Sequence, residues 1–440
     1  MNPPTLRLSV TSMSYGGRGV AKQDGKVYFI PQALPGQVVD AVITVDKGRF
    51  AECELMAVVE RAEAEVSPAC EVFGQCGGCQ WQRAPIAAQR QWKKTFIEDA
   101  LTRIAKLDSE DFRVSMSDVG EAYDYRNRIQ LRGRIDSAGQ VKVGFFAAKS
   151  RELVTFDTCA IADPRLAKLT CFLNMARVVS GSESKFRVEL QVVQAAPTAD
   201  AGYGISAVFH GVGGVSPALK QLMMQVRDQP EVIWAWEEGR VPEQPWLLEH
   251  IDGIDHYTLP GQFAQVNRAL NRQLVDAVVT GLTQLLPPQE GQAPLKILDL
   301  FCGSGNIALA LLQRGMFVHG VEINPTAIEL ARHAVQQNKL ERLASFTAEP
   351  VHQFLAWLDT DLAHYHAAVV DPPRKGMSEC VEALLEHGPP VVAYISCDPN
   401  SMARDLARLQ ARYQVVQVMG FDFFPQTYHV ETLVLLQARA

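Results

Sequence analysis

The sequence predicts a multidomain protein of mixed α+β and α/β class: a small N-terminal β-barrel, a central mixed α/β region and a C-terminal doubly wound sheet. Three observations predict it. Residues 5 to 60 break into short apolar runs separated by glycine turns, a tight group of cysteines follows, and from Leu295 apolar strands alternate with amphipathic helices. At 440 residues the chain exceeds one ordinary core, since domains run to roughly 100–200 residues. No apolar run reaches the ~18 residues that span a membrane, and the start, Met1 to Arg7, lacks the basic-then-apolar order of a secretion signal. A cytoplasmic protein with no membrane partner is expected. A net charge of −7 argues against indiscriminate nucleic-acid binding by the whole surface, though a local basic patch is compatible with it. Nine cysteines are too few for a disulfide scaffold here, and in a reducing compartment some become candidates for metal or catalytic work.

The barrel is expected over residues 1–62. Its strands are Leu6–Val10, Lys26–Ile30 and Val38–Ile43, with Gly16-Gly17-Arg18-Gly19 as a turn. Small barrels of this kind grip oligonucleotides or serve as plain interaction modules. The strand pattern and the Gly-Arg-Gly turn resemble a TRAM domain, an OB-like RNA-binding barrel.

The central region, expected over 63–265, opens with Cys70, Cys76 and Cys79, interleaved with glycines that let the backbone fold round a centre. Three thiolates need a fourth ligand. Zinc would normally bring a second Cys-x2-Cys or a His pair, so an iron–sulfur cluster closed by a distant cysteine is favoured, with Cys53, Cys159 and Cys171 as the options. Residues 83–151 hold fourteen Lys or Arg against nine Asp or Glu, so this stretch is locally positive. Read as a strand, Arg126–Ile135 puts Arg126, Arg128, Gln130, Arg132 and Arg134 on one face, a row of guanidinium groups suited to phosphates. A helix is expected over Pro217–Asp228 with Ser216 as N-cap, and another from Gly261 to about Leu286, before the linker Pro287–Gly291.

The last domain, expected over 266–440, carries the chemistry. Lys296–Leu300 is its first strand, Phe301–Asn306 a glycine turn into a helix, and Phe317–Glu322 the second strand. Glu322 falls 17 residues past Gly305, where such folds place a carboxylate for ribose hydroxyls. The turn lacks the third glycine that pyrophosphate packing prefers, so S-adenosylmethionine is favoured over a nicotinamide dinucleotide. Ala367–Val370 leads into Asp371-Pro372-Pro373-Arg374, and Val391–Ser396 delivers Cys397, a candidate nucleophile, to the carboxyl edge of the sheet. Glu431 is expected just before a final strand, Thr432–Leu436.

Asp299–Asn306, Asp371–Gly376, Ser396–Pro399 and Phe424–Glu431 together resemble the RNA uracil-C5 methyltransferase family, and the resemblance spans the chain. The cysteine triplet is similar to the iron–sulfur branch that acts on 23S ribosomal RNA. The resemblance implies a Rossmann-like methyltransferase domain and a [4Fe–4S] cluster on Cys70, Cys76, Cys79 and Cys159. It also implies S-adenosylmethionine contacts from Gln265, Phe301, Asn306, Glu322 and Asp371, with Cys397 as nucleophile and Glu431 as base. Asp398 stands where the family more often has Asn, Ser401 where it has Thr, and Glu349-Pro350 where close relatives have Glu-Asn. Other branches act on transfer RNA. A redox-responsive RNA-binding protein and a cytosine-C5 or amino methylase are the competing readings, the last disfavoured by Arg374 where amino methylases carry an aromatic residue. Nothing in the sequence sets the oligomeric state, and a monomer is compatible.

Overall fold

The computed structural model describes residues 5–118, 120–194, 202–237, 246–262, 264–286 and 293–439. The first five strands, β1 (Thr5–Ser14), β2 (Arg18–Gln23), β3 (Lys26–Pro31), β4 (Val38–Asp46) and β5 (Phe50–Glu60), close into a barrel in the order β1-β2-β3-β5-β4. Alternation sends Leu8, Val10, Ala21, Tyr28, Ile30 and Val39 inward. Phe29 and Phe50 are left on the outer face, where their rings meet edge to face at 5.9 Å and Arg18 lies 4.6 Å over Phe29.

Helix α1 (Ile86–Arg103) and strand β6 (Val114–Met116) come next. Although both lie in the span expected for the central region, they pack onto the C-terminal sheet: β6 pairs with the strand ending at Phe421, and Ile97, Leu101 and Val114 join its core. The local sequence gives no sign of this, because the partner lies some three hundred residues away.

The central sheet orders β12-β11-β10-β7-β8-β9, from β7 (Arg128–Ile135), β8 (Val141–Phe146), β9 (Leu153–Thr155), β10 (Ser184–Gln194), β11 (Tyr203–Gly211) and β12 (Val232–Glu237). Helices α2 (Pro164–Met175) and α3 (Pro217–Arg227) cover one face through Leu166, Leu169, Leu219 and Leu222. Ser216 caps α3 as expected, its Oγ accepting from Leu219 N–H at 3.1 Å. Along β7 the alternation is as expected, with Ile129, Leu131 and Ile135 buried and Gln130, Arg132 and Arg134 exposed. The arginine row is shorter than the sequence suggests. Arg128 is paired at 2.7 Å with the buried Glu189 of β10, and Arg126 Nε donates to Arg128 O at 3.1 Å, so the acid that local reading missed comes from the neighbouring strand.

A hairpin of β13 (Leu247–Ile251) and β14 (Ile254–Thr258) leads to α4 (Arg268–Leu285). This helix starts seven residues later than Gly261. Gly261 has φ +85°, which no helix tolerates, while the side chain of Asn267 accepts from Leu270 N–H and so caps the true start. The linker Pro287–Gly291 lies outside the described residues.

The last sheet is built from β15 (Lys296–Leu300), β16 (Phe317–Glu322), β17 (Ala344–Ala348), β18 (Ala367–Val370), β19 (Val391–Ser396), β20 (Tyr413–Phe421) and β21 (Glu431–Ala438), with β6 at one edge. Its order is β17-β16-β15-β18-β19-β21-β20-β6, parallel through β19 and antiparallel at β21. Helices α4, α5 (Asn306–Gln313) and α6 (Pro325–Gln337) cover one face. The other is covered by α1, α7 (Val351–Leu358), α8 (Val381–His387) and α9 (Pro399–Leu409). The doubly wound core thus matches expectation, and the order reverses between β15 and β18, where such sheets open a crevice.

Helix α1 ties the halves together through Lys93, fully buried and ion-paired with Asp422 just past β20. Removing one partner of a buried pair strands the other, so Lys93→Met should cost about 3–5 kcal/mol of unfolding free energy, and Lys93→Met/Asp422→Leu much less. Urea denaturation of the three proteins checks this ordering.

Candidate active site

The register of two strands brings the expected residues together. β19 and β21 run antiparallel with Ser396 opposite Thr432, so the next residues outward, Cys397 and Glu431, face each other at the carboxyl edge of the parallel strands. β18 pairs beside β19 through Val370 and Tyr394, which sets Asp371 one step beyond on the same edge. Cys397 is followed at once by α9, whose N-cap is Asp398. Its Oδ1 accepts from Asn400 N–H at 2.9 Å and Ser401 N–H at 3.0 Å. From the barrel, Tyr15 donates its hydroxyl to Asp398 Oδ2 at 3.3 Å. An aspartate at this position therefore caps the helix and anchors the first domain.

The electrostatics follow from gathering acids in a dry edge. Burial pushes Glu431 up to about 8, with Asp371 adding to it and Arg374 opposing. Burial likewise raises Asp371 to about 6 and Asp299, one strand over and repelled by Asp371, to about 8. The Cys397 thiol is pushed up to about 11, first by burial and then by Glu431, while the charge of the nearby Arg374 guanidinium pulls it down.

The glycine turn forms the other wall. Phe301 has φ +63°, a conformation most side chains avoid, and Gly303 and Gly305 have φ +55° and +91°. Glu322 is held in place by two N–H groups, its Oε2 accepting from Gly303 at 3.3 Å and its Oε1 from Asn324 at 2.9 Å. Asn306 opens α5 and exchanges two 2.9 Å hydrogen bonds with Asn271 of α4. Gln265 lies in the stretch before α4, its carbonyl accepting from Asn127 Nδ2 at 3.2 Å.

The loop between β20 and β21 is clasped from several sides. Gln89 of α1 and Gln426 pair reciprocally: Gln89 Nε2 donates to Gln426 Oε1 at 2.9 Å, and Gln426 N–H to Gln89 Oε1 at 2.8 Å. Gln80 and Trp81 N–H groups both donate to Gln426 O, at 2.9 and 3.0 Å. Gln426 itself sits at φ +71°. Tyr125 donates to Pro425 O at 3.1 Å, and Lys93 to Phe424 O at 3.0 Å.

Of the three options for a fourth thiol, Cys53 is in the barrel core and Cys171 is on α2. Cys159 joins Cys70, Cys76 and Cys79 around one cavity of about 420 Å³. Gly78 N–H points at Cys76 Sγ at 3.4 Å, and Ala162 N–H donates to the Cys159 carbonyl at 2.9 Å. Burial raises Cys79 to about 12, with the other three thiols adding to it. Among the described residues no set of three His, Cys, Asp or Glu side chains is grouped as for a single metal ion.

Residues 251–439 match the tRNA (Uracil-5-)-methyltransferase family model, and residues 4–56 match the TRAM domain. A 23S rRNA (uracil(1939)-C(5))-methyltransferase RlmD of Shewanella halifaxensis is 30% identical, over 99% of this chain and 96% of that protein. The protein of the same name in Marinomonas posidonica is 31% identical, over 99% and 95%. The chain belongs to the RNA uracil-C5 methyltransferase family. The fold agrees: the tRNA (uracil-54, C5)-methyltransferase of Pyrococcus abyssi, solved with S-adenosyl-L-homocysteine, superposes with a TM-score of 0.69 at 21% identity, over 98% of this chain and 100% of that one.

Within this uracil-C5 methyltransferase framework the sequence reading missed Arg374 as a partner of Cys397, although the motif holding it was in view, and it missed the clasp on Gln426. The first signal was a charged residue two positions past a strand-end Asp-Pro. The second had none, because a positive φ at glutamine leaves no mark in composition. Glu431 gives a stability test. Its folded value lies above its ordinary one, so its contribution to stability is full below the ordinary carboxylate range and is lost as pH rises through about 8. Glu431 is half-buried, so solvent screens the effect. Glu431→Gln should leave the melting temperature at pH 5 unchanged and raise it at pH 9 by roughly 2–4 °C, equivalent to ~1 kcal/mol in a domain of this size.

Proposed function

We propose that the protein methylates C5 of a uridine in 23S ribosomal RNA, with Cys397 as nucleophile and Glu431 as base. The observation that carries this is the pairing of Ser396 with Thr432, which sets a thiol opposite a carboxyl at the ligand edge of a methyltransferase sheet. C5 of uracil is a poor nucleophile. Addition of the Cys397 thiolate to C6 makes C5 enolate-like and able to take the methyl; Glu431 then removes the C5 proton, and Cys397 leaves as the C5–C6 double bond re-forms. Arg374 favours the thiolate by its charge beside the sulfur. A stacked target must be flipped outward to reach this edge.

S-adenosylmethionine supplies the methyl group when bound. Glu322, held by Gly303 and Asn324 N–H groups, is suited to ribose hydroxyls. Asp299 Oδ2, buried and without a hydrogen-bond partner among the described residues, fits a ligand amino group. Phe301, Asn306, Asp371 and Gln265 flank the same edge and are assigned as further contacts. For Asn306 this means a site shared with Asn271.

We infer that Cys70, Cys76, Cys79 and Cys159 hold a [4Fe–4S] cluster. The donor set supports it: four thiols line one cavity, and Gly78 N–H points at one of their sulfurs. Its role is structural, since methylation at C5 requires no electron. Iron and sulfide analysis of protein purified without oxygen should give about four of each per chain, and Cys159→Ser should lower both and weaken folding.

RNA would lie against the barrel and the exposed Arg132 and Arg134 of β7. On the barrel, Arg18, Phe29 and Phe50 offer a stacking row, and Gly17 beside Arg18 packs on Tyr428 of the loop that leads to Glu431. Phe29→Ala/Phe50→Ala is expected to weaken RNA binding roughly 10-fold with the salt slope unchanged, whereas Arg132→Ala/Arg134→Ala should flatten that slope by about two.

The deciding experiment uses 23S fragments and transfer RNA carrying 5-fluorouridine. With S-adenosylmethionine the wild type should form a denaturant-stable adduct on the ribosomal fragment and Cys397→Ala none; an adduct on transfer RNA alone would move the assignment to that substrate. With ordinary RNA, Glu431→Gln should accumulate a methylated covalent complex, because elimination lacks its base. The ribosomal substrate puts the work in the cytoplasm, and no described helix is long and apolar enough to cross a membrane.

A further inference from the structure

On the helix that follows Cys397 lies a buried carboxylate to which no part of this chemistry gives a role. Asp405, on α9, is 3% exposed. Its Oδ2 accepts two hydrogen bonds, from Met377 N–H at 2.7 Å and from the Tyr394 hydroxyl at 2.7 Å. Tyr394 is fully buried on β19, three residues before Cys397. Met377 is the first residue past a turn closed by Gly376 N–H to Pro373 O at 2.8 Å, and that turn carries Arg374. One oxygen therefore joins the nucleophile's strand, the helix that follows it and the turn that brings a guanidinium to the sulfur.

The fit is close. Gly376 has φ +83°, and a Cβ there would stand 2.6 Å from Asp405 Oδ2, so both backbone conformation and space demand glycine. Pro373, Arg374 and Lys375 are exposed, whereas Gly376 and Met377 are buried, so the turn is anchored at its downstream end. A buried carboxylate is costly unless its oxygens are bonded, and bonds to a charged acceptor are the shorter and stronger kind. An apolar residue at 405 would leave an N–H and an O–H unpaired in the core.

We propose that Asp405 is a positioning residue: through Met377 and Tyr394 it fixes the 373–376 turn and thereby holds the Arg374 guanidinium near Cys397. The groups facing Cys397 are Glu431 on β21, Asp371 at the exit of β18, Arg374 on the turn and Tyr15 from the barrel. Of these only Arg374 lowers the thiol's proton affinity, and only Arg374 depends on the turn. When the turn slackens, the opposing acids stay on their strands and the thiolate becomes scarcer. The inference rests on reading Cys397 as the nucleophile, but the arrangement it describes does not depend on RNA or S-adenosylmethionine and is tested without them.

The test is the pH dependence of iodoacetamide alkylation at Cys397, followed on its own peptide by mass spectrometry in the full-length protein. Asp405→Asn should move the alkylation midpoint upward by roughly 0.5–1 pH unit, toward that of Arg374→Ala. Tyr394→Phe, which keeps the ring in the core and loses one hydroxyl, should shift it in the same direction by less. The double variant Asp405→Asn/Arg374→Ala should go no further than Arg374→Ala alone, since both remove one effect. In methylation assays Asp405→Asn should lower kcat about 10-fold with the KM for S-adenosylmethionine unchanged. An unchanged midpoint in Asp405→Asn, or an additive shift in the double variant, overturns the proposal; if Asp405→Asn does not fold, Tyr394→Phe decides on the same criterion. Shifts that follow this pattern in a protein that methylates no uridine would retire the functional reading and leave the positioning role standing.

Discussion

The pose of Glu431 depends on how the loop before it is held against α1. A fully buried lysine grips Asp422 and the carbonyl of Phe424, and two glutamines, Gln89 and Gln426, satisfy each other's amides. These bonds are made in a dry interior, where each is stronger than in water and an unpaired member is expensive, so the loop has one arrangement rather than several. They also sustain Gln426 in a backbone conformation it would not choose alone. Strain at the loop is thus compensated from a helix that belongs, by sequence order, to another part of the protein.

The same dryness explains the chemistry. Asp299, Asp371 and Glu431 crowd one sheet edge, and burial holds all three above the ordinary carboxylate range. Stability gains nothing from such a cluster. In the proposed mechanism the protein gains a base whose proton affinity lies near the working range, beside a thiol whose own affinity is moderated by a nearby guanidinium. Arg374 reaches this position from an exposed turn, which is why a buried anchor for that turn matters.

Much of this was legible because local signals and global structure agreed. β18 and β19 are continuous apolar runs, β15 and β16 largely apolar ones, and their order along the chain places Asp371 and Cys397 on one edge without further information. The helix start at Arg268 was misplaced because a sequence window sees apolar periodicity before it sees the left-handed Gly261. The arginine row on β7 was overcounted because Glu189 arrives from β10, a pairing fixed by the sheet and not by the neighbouring sequence. The partners of the last loop were invisible for the same reason: Gln89 and Gln426 lie 337 positions apart. Spacing alone left three choices for the fourth thiol; the resemblance pointed to Cys159, and the folded chain puts Cys159, not Cys53 or Cys171, round one cavity with the other three.

Strand β6 has one more consequence. It completes the edge of a sheet whose other strands are synthesised at the far end of the chain, beside β20, and α1 waits with it for the same partner. The nascent polypeptide therefore carries an unpaired strand and an unburied helix face through most of its translation, a long-range closure of the kind that folds late. The thiol edge is finished only when the last strand has emerged, so truncated products lack a working centre however well their barrels fold.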